Sequence, residues 1–479
     1  MINYEAMANG PERETVLPVH LQPLTLTPTT IYRAVDLNIQ TELKPRYSQP
    51  PNLLSLIGLV SEMKRQGIEV DTIAGGLPPE APLDYLWREH FTITPFFLRE
   101  EYKAFHGLQY AGAEGNFELR TWVAEDISKL SGKTVTEKNI LTLPGSQYGL
   151  ATSLVTLCES GKKVALTSTP TYSAFMQAAE YNNHIPVIAV ESDEHGMLPD
   201  KLEETITTLL EKGYDIGLTY EMVYKNPSGG VLTDERGKKL NGICKSYGIP
   251  LLLDYAYYKL SKSDNPPNID YLDKNIILVF TASKLYAPAE RVAWATILGD
   301  DLYKKLKSKK EADMIMTPAR TELEFFDFAQ TELENKTPSF VERYNEGIDK
   351  AMEAINQHED IFRAIKPEAG MFVWVEVPPG LSTYANLGRI LQEQKIAYAP
   401  GAWFQPRQIR ILDGSLVGIQ PVDNFFRGCA VTEEPEKIFG IFNRLAGIFR
   451  EIAKEQNIKL FDIETKSQDV NSNFIFQAN

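Results

Sequence analysis

FTASKLYAPAERVAWA, residues 280–295, is the most informative stretch of the chain. An apolar run (NIILVFT, 275–281) ends in small hydroxyl residues and passes through Lys284. Arg291 then heads a second apolar run, RVAWATI (291–297). A lysine at a strand end can project into a cleft, where desolvation and neighbouring cations lower its amine pKa until it can condense with an aldehyde. Thr281, Ser283 and Arg291 supply the hydroxyls and the charge that would bind a phosphate. Taken alone, a Ser–Lys pair is commonplace, and a surface lysine after a strand is the simpler reading.

The flanking sequence changes that balance. From about 139 to 297, short β-prone runs alternate with longer helical stretches. The expected strands are 139–143, 163–168, 185–191, 215–221, 249–254, 275–281 and 291–297, with helices such as Asp200–Lys212 and Asp234–Tyr247 between them. Strands apolar on both faces that alternate with helices predict an α/β fold with a mostly parallel, doubly covered sheet. Beyond about 325 the pattern becomes a long helix (Ser339–Gln357), a strand (371–377), a helix (Tyr384–Gln394), a turn (APGAWF) and an amphipathic helix (Pro435–Glu455), a smaller α+β domain. The expected division is an N-terminal arm and helix (1–70), a large domain (71–325), a small domain (326–465) and a polar tail (466–479). A helix is expected over Leu53–Gln66, ended by Gly67.

Several strand ends carry polar residues where α/β sheets bind ligands. Asp254 closes the run LLLD, with Tyr257 three residues on; a carboxylate there can keep a pyridine-type nitrogen protonated and make its ring an electron sink. A cap or strand-end turn is the plain alternative for Asp254. Asn226 precedes a Pro–Ser–Gly–Gly turn and, with Tyr257, could bond a phenolate oxygen. Ser146 and Gln147, in LPGSQYGL, open a helix whose free N–H groups suit a phosphate. Tyr172, in TPTYSAF, sits at the next junction, where a ring could stack on a flat ligand.

The order GSQ, PTY, NPSG, DYAY, SK…R resembles fold-type I enzymes dependent on pyridoxal 5′-phosphate (PLP), specifically the class I/II aminotransferases and their kynurenine/α-aminoadipate branch. Further likeness lies in IAGGLPPE (73–80), LQYAGAEGNFELR (108–120), EAGMFVW (368–374), APGAWF (399–404) and NFFRGCAV (424–431), and spans about residues 53–455. The resemblance implies that Lys284 carries PLP as a Schiff base and shuttles a proton, with Asp254 paired to the ring nitrogen. It implies that Asn226 and Tyr257 contact the cofactor O3′ and that Tyr172 stacks on its ring. Ser146, Gln147, Thr281, Ser283 and Arg291 would hold the phosphate, joined by Tyr110 from a neighbouring subunit, which requires a homodimer. Arg427, with Asn226 and Gly76, would bind the substrate carboxylate. The family's PGxRxG reads Pro288–Ala289–Glu290–Arg291–Val292–Ala293 here, with both glycines replaced. Lys225 stands beside Asn226 as a substrate contact or a solvated charge, and the stretch before Arg427 is longer than usual. Leu54 falls about where near relatives place an N-terminal substrate arginine.

Composition narrows the function classes. The 479 residues carry a net charge of −15 and a pI near 5.1, which disfavours nucleic acid and anionic membranes as partners. Cys158, Cys244 and Cys429 are scattered in apolar contexts, as expected of buried thiols in a reducing cytoplasm. The histidines show no metal-ligand spacing, and no run reaches the roughly 18 apolar residues of a membrane span. The leading expectation is a cytoplasmic aminotransferase acting on an amino acid and a 2-oxo acid. A PLP enzyme of elimination, replacement or cyclisation is the alternative, and a MocR-like ligand-sensing regulator is remote, because the Pro/Thr-rich start does not resemble a winged helix.

Overall fold

A computed structural model describes residues 53–76, 112–159, 163–179, 184–260, 268–405, 409–412, 415–418 and 423–462. The expectations for the arm before residue 53, for Tyr110 and for the C-terminal tail lie outside the described residues.

The apolar runs form a nine-stranded sheet. Its strands are β2 (Ile140–Pro144), β3 (Val164–Ser168), β4 (Val187–Val190), β7 (Ile216–Met222), β8 (Leu251–Asp254), β9 (Ile276–Thr281), β10 (Val292–Ile297), β14 (Ile409–Leu412) and β15 (Ser415–Gly418). The order is β15-β14-β4-β3-β7-β8-β9-β10-β2. Each strand expected between 139 and 297 is present to within two residues at either end. The β4, β3, β7, β8 and β9 ladder is parallel, whereas β10 runs antiparallel to both β9 and β2. The reversal follows from the short 282–291 connection, which cannot make the crossover that parallel neighbours need. That connection carries Lys284, so the hairpin-like return brings Arg291 back beside Thr281.

The remaining short strands are β1 (Asp71–Thr72), β5 (Ser192–Asp193), β6 (Gly196–Met197), β11 (Phe372–Glu376), β12 (Ile396–Ala397), β13 (Ala399–Pro400) and β16 (Phe425–Cys429). The helices are α1 (Leu53–Arg65), α2 (Phe117–Ser131), α3 (Ser146–Leu157), α4 (Ser173–Gln177), α5 (Pro199–Glu211), α6 (Asp234–Ser246), α7 (Asp300–Asp313), α8 (Ala319–Thr331), α9 (Leu333–Asn356), α10 (Thr383–Gln394) and α11 (Pro435–Glu455). Two apolar cores result. One surrounds the large sheet; the other gathers β11, β16, α10, α11 and the inner face of α9. α1 and β1 join the second core, and β1 pairs in parallel with β12.

One local expectation is corrected. The long helix begins at Leu333 rather than Ser339, with Pro338 inside its second turn. The Thr337 hydroxyl donates back to Leu333 O at 2.6 Å, and Pro338, lying past the first turn, removes the intrahelical N–H that would have bonded the Glu334 carbonyl. In the stretch before Arg427, which the sequence showed only to be longer than usual, β14 and β15 pair as a hairpin, and β14 joins the large sheet at Arg410 opposite Ala189. Among the described residues no helix is long and apolar enough to cross a membrane. Cys158, Cys244 and Cys429 are buried and unbridged.

Candidate active site

The sheet's carboxyl-end edge collects the polar residues singled out above. Asp254 ends β8 and is buried. Its Oδ1 accepts the Ala256 N–H at 2.9 Å, and its Oδ2 accepts the Tyr220 hydroxyl at 2.9 Å. Burial pushes its pKa up to about 6, against the lowering effect of those two bonds and of nearby Lys284. Lys284 follows β9, and its Nζ donates to Gly76 O at 2.7 Å while lying 6.0 Å from the Tyr257 ring centre. Desolvation lowers its pKa to about 8; Arg427 and Arg291 push the same way, and Cys429 and Asp254 oppose them. About a tenth of the amine is therefore in the free form at pH 7, far more than for an ordinary lysine, in the direction the sequence led one to expect.

Around Arg291 the chain gathers groups that could hold an anion. The left-handed conformation falls on Arg291 itself (φ 56°), while Ala289 lies in a short 3₁₀ turn and Ala293 in β10, so neither alanine needs glycine's freedom. The freedom is used instead at Gly145, φ 92°, just before α3. A Cβ there would lie 1.9 Å from Arg291 Nη2, so the guanidinium packs against bare backbone at the helix N-terminus. Ser146 and Gln147 begin that helix, where backbone N–H groups have no intrahelical partner. Thr281 Oγ1 and Ser283 Oγ are 2.9 Å apart, and Thr281 also donates to Val292 O at 3.3 Å, next to Arg291.

Arg427, on β16, is buried. Nη1 donates to Asn226 Oδ1 at 2.9 Å and Nη2 to Ala74 O at 2.5 Å, whereas Nε has no partner. Phe372 and Phe404 hold their rings 4.0 and 4.8 Å from its guanidinium carbon. Asn226 Nδ2 donates to the Tyr257 hydroxyl at 3.2 Å, which links Arg427, Asn226 and Tyr257 in one chain. Tyr172 is partly buried at the N-terminus of α4, with its phenol pushed up to about 12 by burial and by Asp254.

Sequence reasoning missed Tyr220, Phe372, Phe404 and the Ala74 carbonyl. Phe372 and Phe404 lie in segments recognised as informative, but only the three-dimensional packing shows that they flank Arg427. Lys225 is not solvated. It is buried and ion-paired with Glu221, whose carboxylate also accepts from Ser168 Oγ and from the Met197 and Met222 N–H groups.

The donor set fits PLP. It combines a buried amine of lowered pKa, a carboxylate at the end of a central strand, a cradle that a glycine Cβ would fill, and an unsatisfied guanidinium N–H. The mostly parallel sheet and this site define a PLP enzyme of fold type I. The sequence profile of the family described as aminotransferase class I and II matches residues 101–412, and the chain belongs to that family. It is 28% identical over 351 residues to an aromatic-amino-acid aminotransferase of Thermococcus litoralis, covering 71% of this chain and 82% of that protein. It is 28% identical over 340 residues to a 2-aminoadipate transaminase of Thermus thermophilus, covering 70% and 81%. The crystal structure of an α-aminoadipate aminotransferase from Thermus thermophilus, bound to N-(5′-phosphopyridoxyl)-L-leucine, superposes with a TM-score of 0.68 at 25% identity. It covers 82% of this chain and 95% of that one. The protein is thus a PLP-dependent aminotransferase, exchanging amino groups between amino acids and oxo acids.

Proposed function

We propose that Lys284 carries the cofactor and moves the proton at the substrate α-carbon, with Asp254 holding a proton on the ring nitrogen. The observation that carries this reading is the convergence, within one buried site, of a lysine of lowered pKa, a strand-end carboxylate and a guanidinium with an unpartnered N–H. Bound there, PLP supplies an aldehyde that condenses with amines and a ring that takes up the electron pair left when the α-C–H bond breaks.

The protein's own groups do the rest. Ser146, Gln147, Thr281, Ser283 and Arg291 hold the phosphate, together with Tyr110 of the partner subunit. Tyr172 packs on the ring, and Asn226 and Tyr257 bond O3′. Arg427 grips the substrate carboxylate beside Gly76, and the walls of Phe372 and Phe404 exclude water and strengthen that charge pair. Asn226 keeps the guanidinium plane fixed through Nη1. Gly76 O accepts from the Lys284 amine and fixes its direction.

We read the chain as a cytoplasmic homodimer with a large lobe (71–325) and a small lobe (326–465). Phe117, Met314 and Ile315 are large apolar side chains left exposed. Exposed apolar side chains of this size support burial against a second copy. Sedimentation of the holoenzyme tests it: a monomer at micromolar concentration sinks the dimer. The residue assignment is tested by borohydride reduction and peptide mass spectrometry, with a pyridoxyl adduct expected on Lys284 and nowhere else. An amino-donor screen that includes aromatic amino acids and 2-aminoadipate then defines the substrate.

A further inference from the structure

Asp254 is gripped from two sides, and only one grip belongs to its own turn. The Ala256 N–H is local; the Tyr220 hydroxyl comes from the neighbouring strand. The β7–β8 register sets Met222 opposite Asp254 and Tyr220 opposite Leu252, so Tyr220 shares Asp254's face of the sheet, two residues back. Its ring is buried and lies flat on Phe175, with centroids 3.9 Å apart and planes 9° from parallel. Clamped this way, the hydroxyl has one direction to point.

We propose that Tyr220 is a positioning residue for the transamination: its hydroxyl bond to Oδ2 decides whether the proton shared by Asp254 and the cofactor ring nitrogen rests on the nitrogen. The proposal rests on the assignment of Asp254 to that nitrogen. A buried carboxylate tends to keep a proton, and burial already raises Asp254. A hydroxyl that donates to the anion favours the ionised form. Tyr220 is itself pushed far above the usual phenol range by burial and by Asp254, so it stays protonated and only donates. Without it, the carboxylate gains proton affinity, and one proton moves from the ring nitrogen to Oδ2. No electrons are transferred. A ring nitrogen without its positive charge no longer repels the positive charge on the lysine-linked nitrogen of the same conjugated system, so that nitrogen keeps its proton to higher pH.

The experiment is a spectrophotometric pH titration of the visible band of the holoenzyme. Tyr220→Phe should raise the midpoint by about one pH unit, the size of one bond to a charged group. It should lower kcat about tenfold and leave KM within about twofold. In the Asp254→Asn background the same substitution should add no shift, because the group it acts through is gone. 3-Fluorotyrosine placed at Tyr220, a stronger donor of nearly the same shape, should lower the midpoint and covers the case in which Tyr220→Phe does not fold. A purely structural role would lower the melting temperature and leave the midpoint alone. If Tyr220→Phe stays within about 0.2 unit of wild type while Asp254→Asn shifts, the Tyr220 proposal fails and the Asp254 assignment stands. Equal shifts in both backgrounds also overturn it. If Asp254→Asn itself moves nothing, the Asp254 assignment falls and takes the proposal with it.

Discussion

Replacing Gly145 by alanine separates two costs that the structure places at one residue. The new Cβ would stand 1.9 Å from Arg291 Nη2 and 2.7 Å from its Cζ. The obstructed group is the tip of a flexible side chain, so it can retreat at little steric cost, but retreat takes it out of the cradle. Losing one charge-assisted bond to the phosphate costs about 1.5–3 kcal/mol, which weakens PLP binding about 10- to 150-fold. The backbone term is separate. At φ 92° a side chain is strained by roughly 1–3 kcal/mol whether or not the cofactor is present. Titrating the apoenzyme with PLP by tryptophan fluorescence gives the first quantity, and thermal melting of the apoenzyme gives the second. A melting temperature that falls while PLP affinity stays within about twofold of wild type would refute the reasoning, because the guanidinium would then contribute nothing to the phosphate.

Three further outcomes are expected. Capture of PLP by the apoenzyme should accelerate about tenfold per pH unit below pH 8 and flatten above it. The reactive form is the free amine, and Lys284 is lowered to about 8; a flat stopped-flow profile from pH 6 to 8 would contradict this. Arg427→Lys should reduce kcat/KM by about 100-fold with PLP affinity little changed, since a lysine cannot reproduce the fork held between Asn226 and Ala74; steady-state kinetics beside PLP titration checks it. Lys225→Met should destabilise the fold by about 3–5 kcal/mol by stranding the buried Glu221 carboxylate, as read by urea denaturation. No loss of stability would mean that the ion pair contributes little to the fold.

The large sheet was legible because its strands are apolar on both faces and sharply bounded. The reversed β10 was not, since periodicity carries no direction; only the shortness of the 282–291 connection hints at it. The hairpin 409–418 had a readable sign in Asp413–Gly414 between two short β-prone runs. Its attachment to β4 had none, because strand order across lobes leaves no local trace. At the site, Lys284, Asp254 and Arg427 stood out as charges in apolar runs. Tyr220 could not, because an aromatic in a β run reads as core until the register sets it beside Asp254. Lys225 misled for the opposite reason: its partner, four residues earlier on a strand, reaches it only because the strand ends at Met222 and the chain bends at Val223.

The hairpin's attachment has a mechanical consequence. The chain is tied to the turn after β3 at Phe404, whose carbonyl accepts the Thr171 N–H at 2.7 Å, and to β4 at the rung joining Arg410 to Ala189. It then returns as β16 with Arg427. Phe404 and Ala74 both pack in the second core, so the ring and the carbonyl that hold the guanidinium share one foundation, and the two ties fasten that foundation to the large sheet.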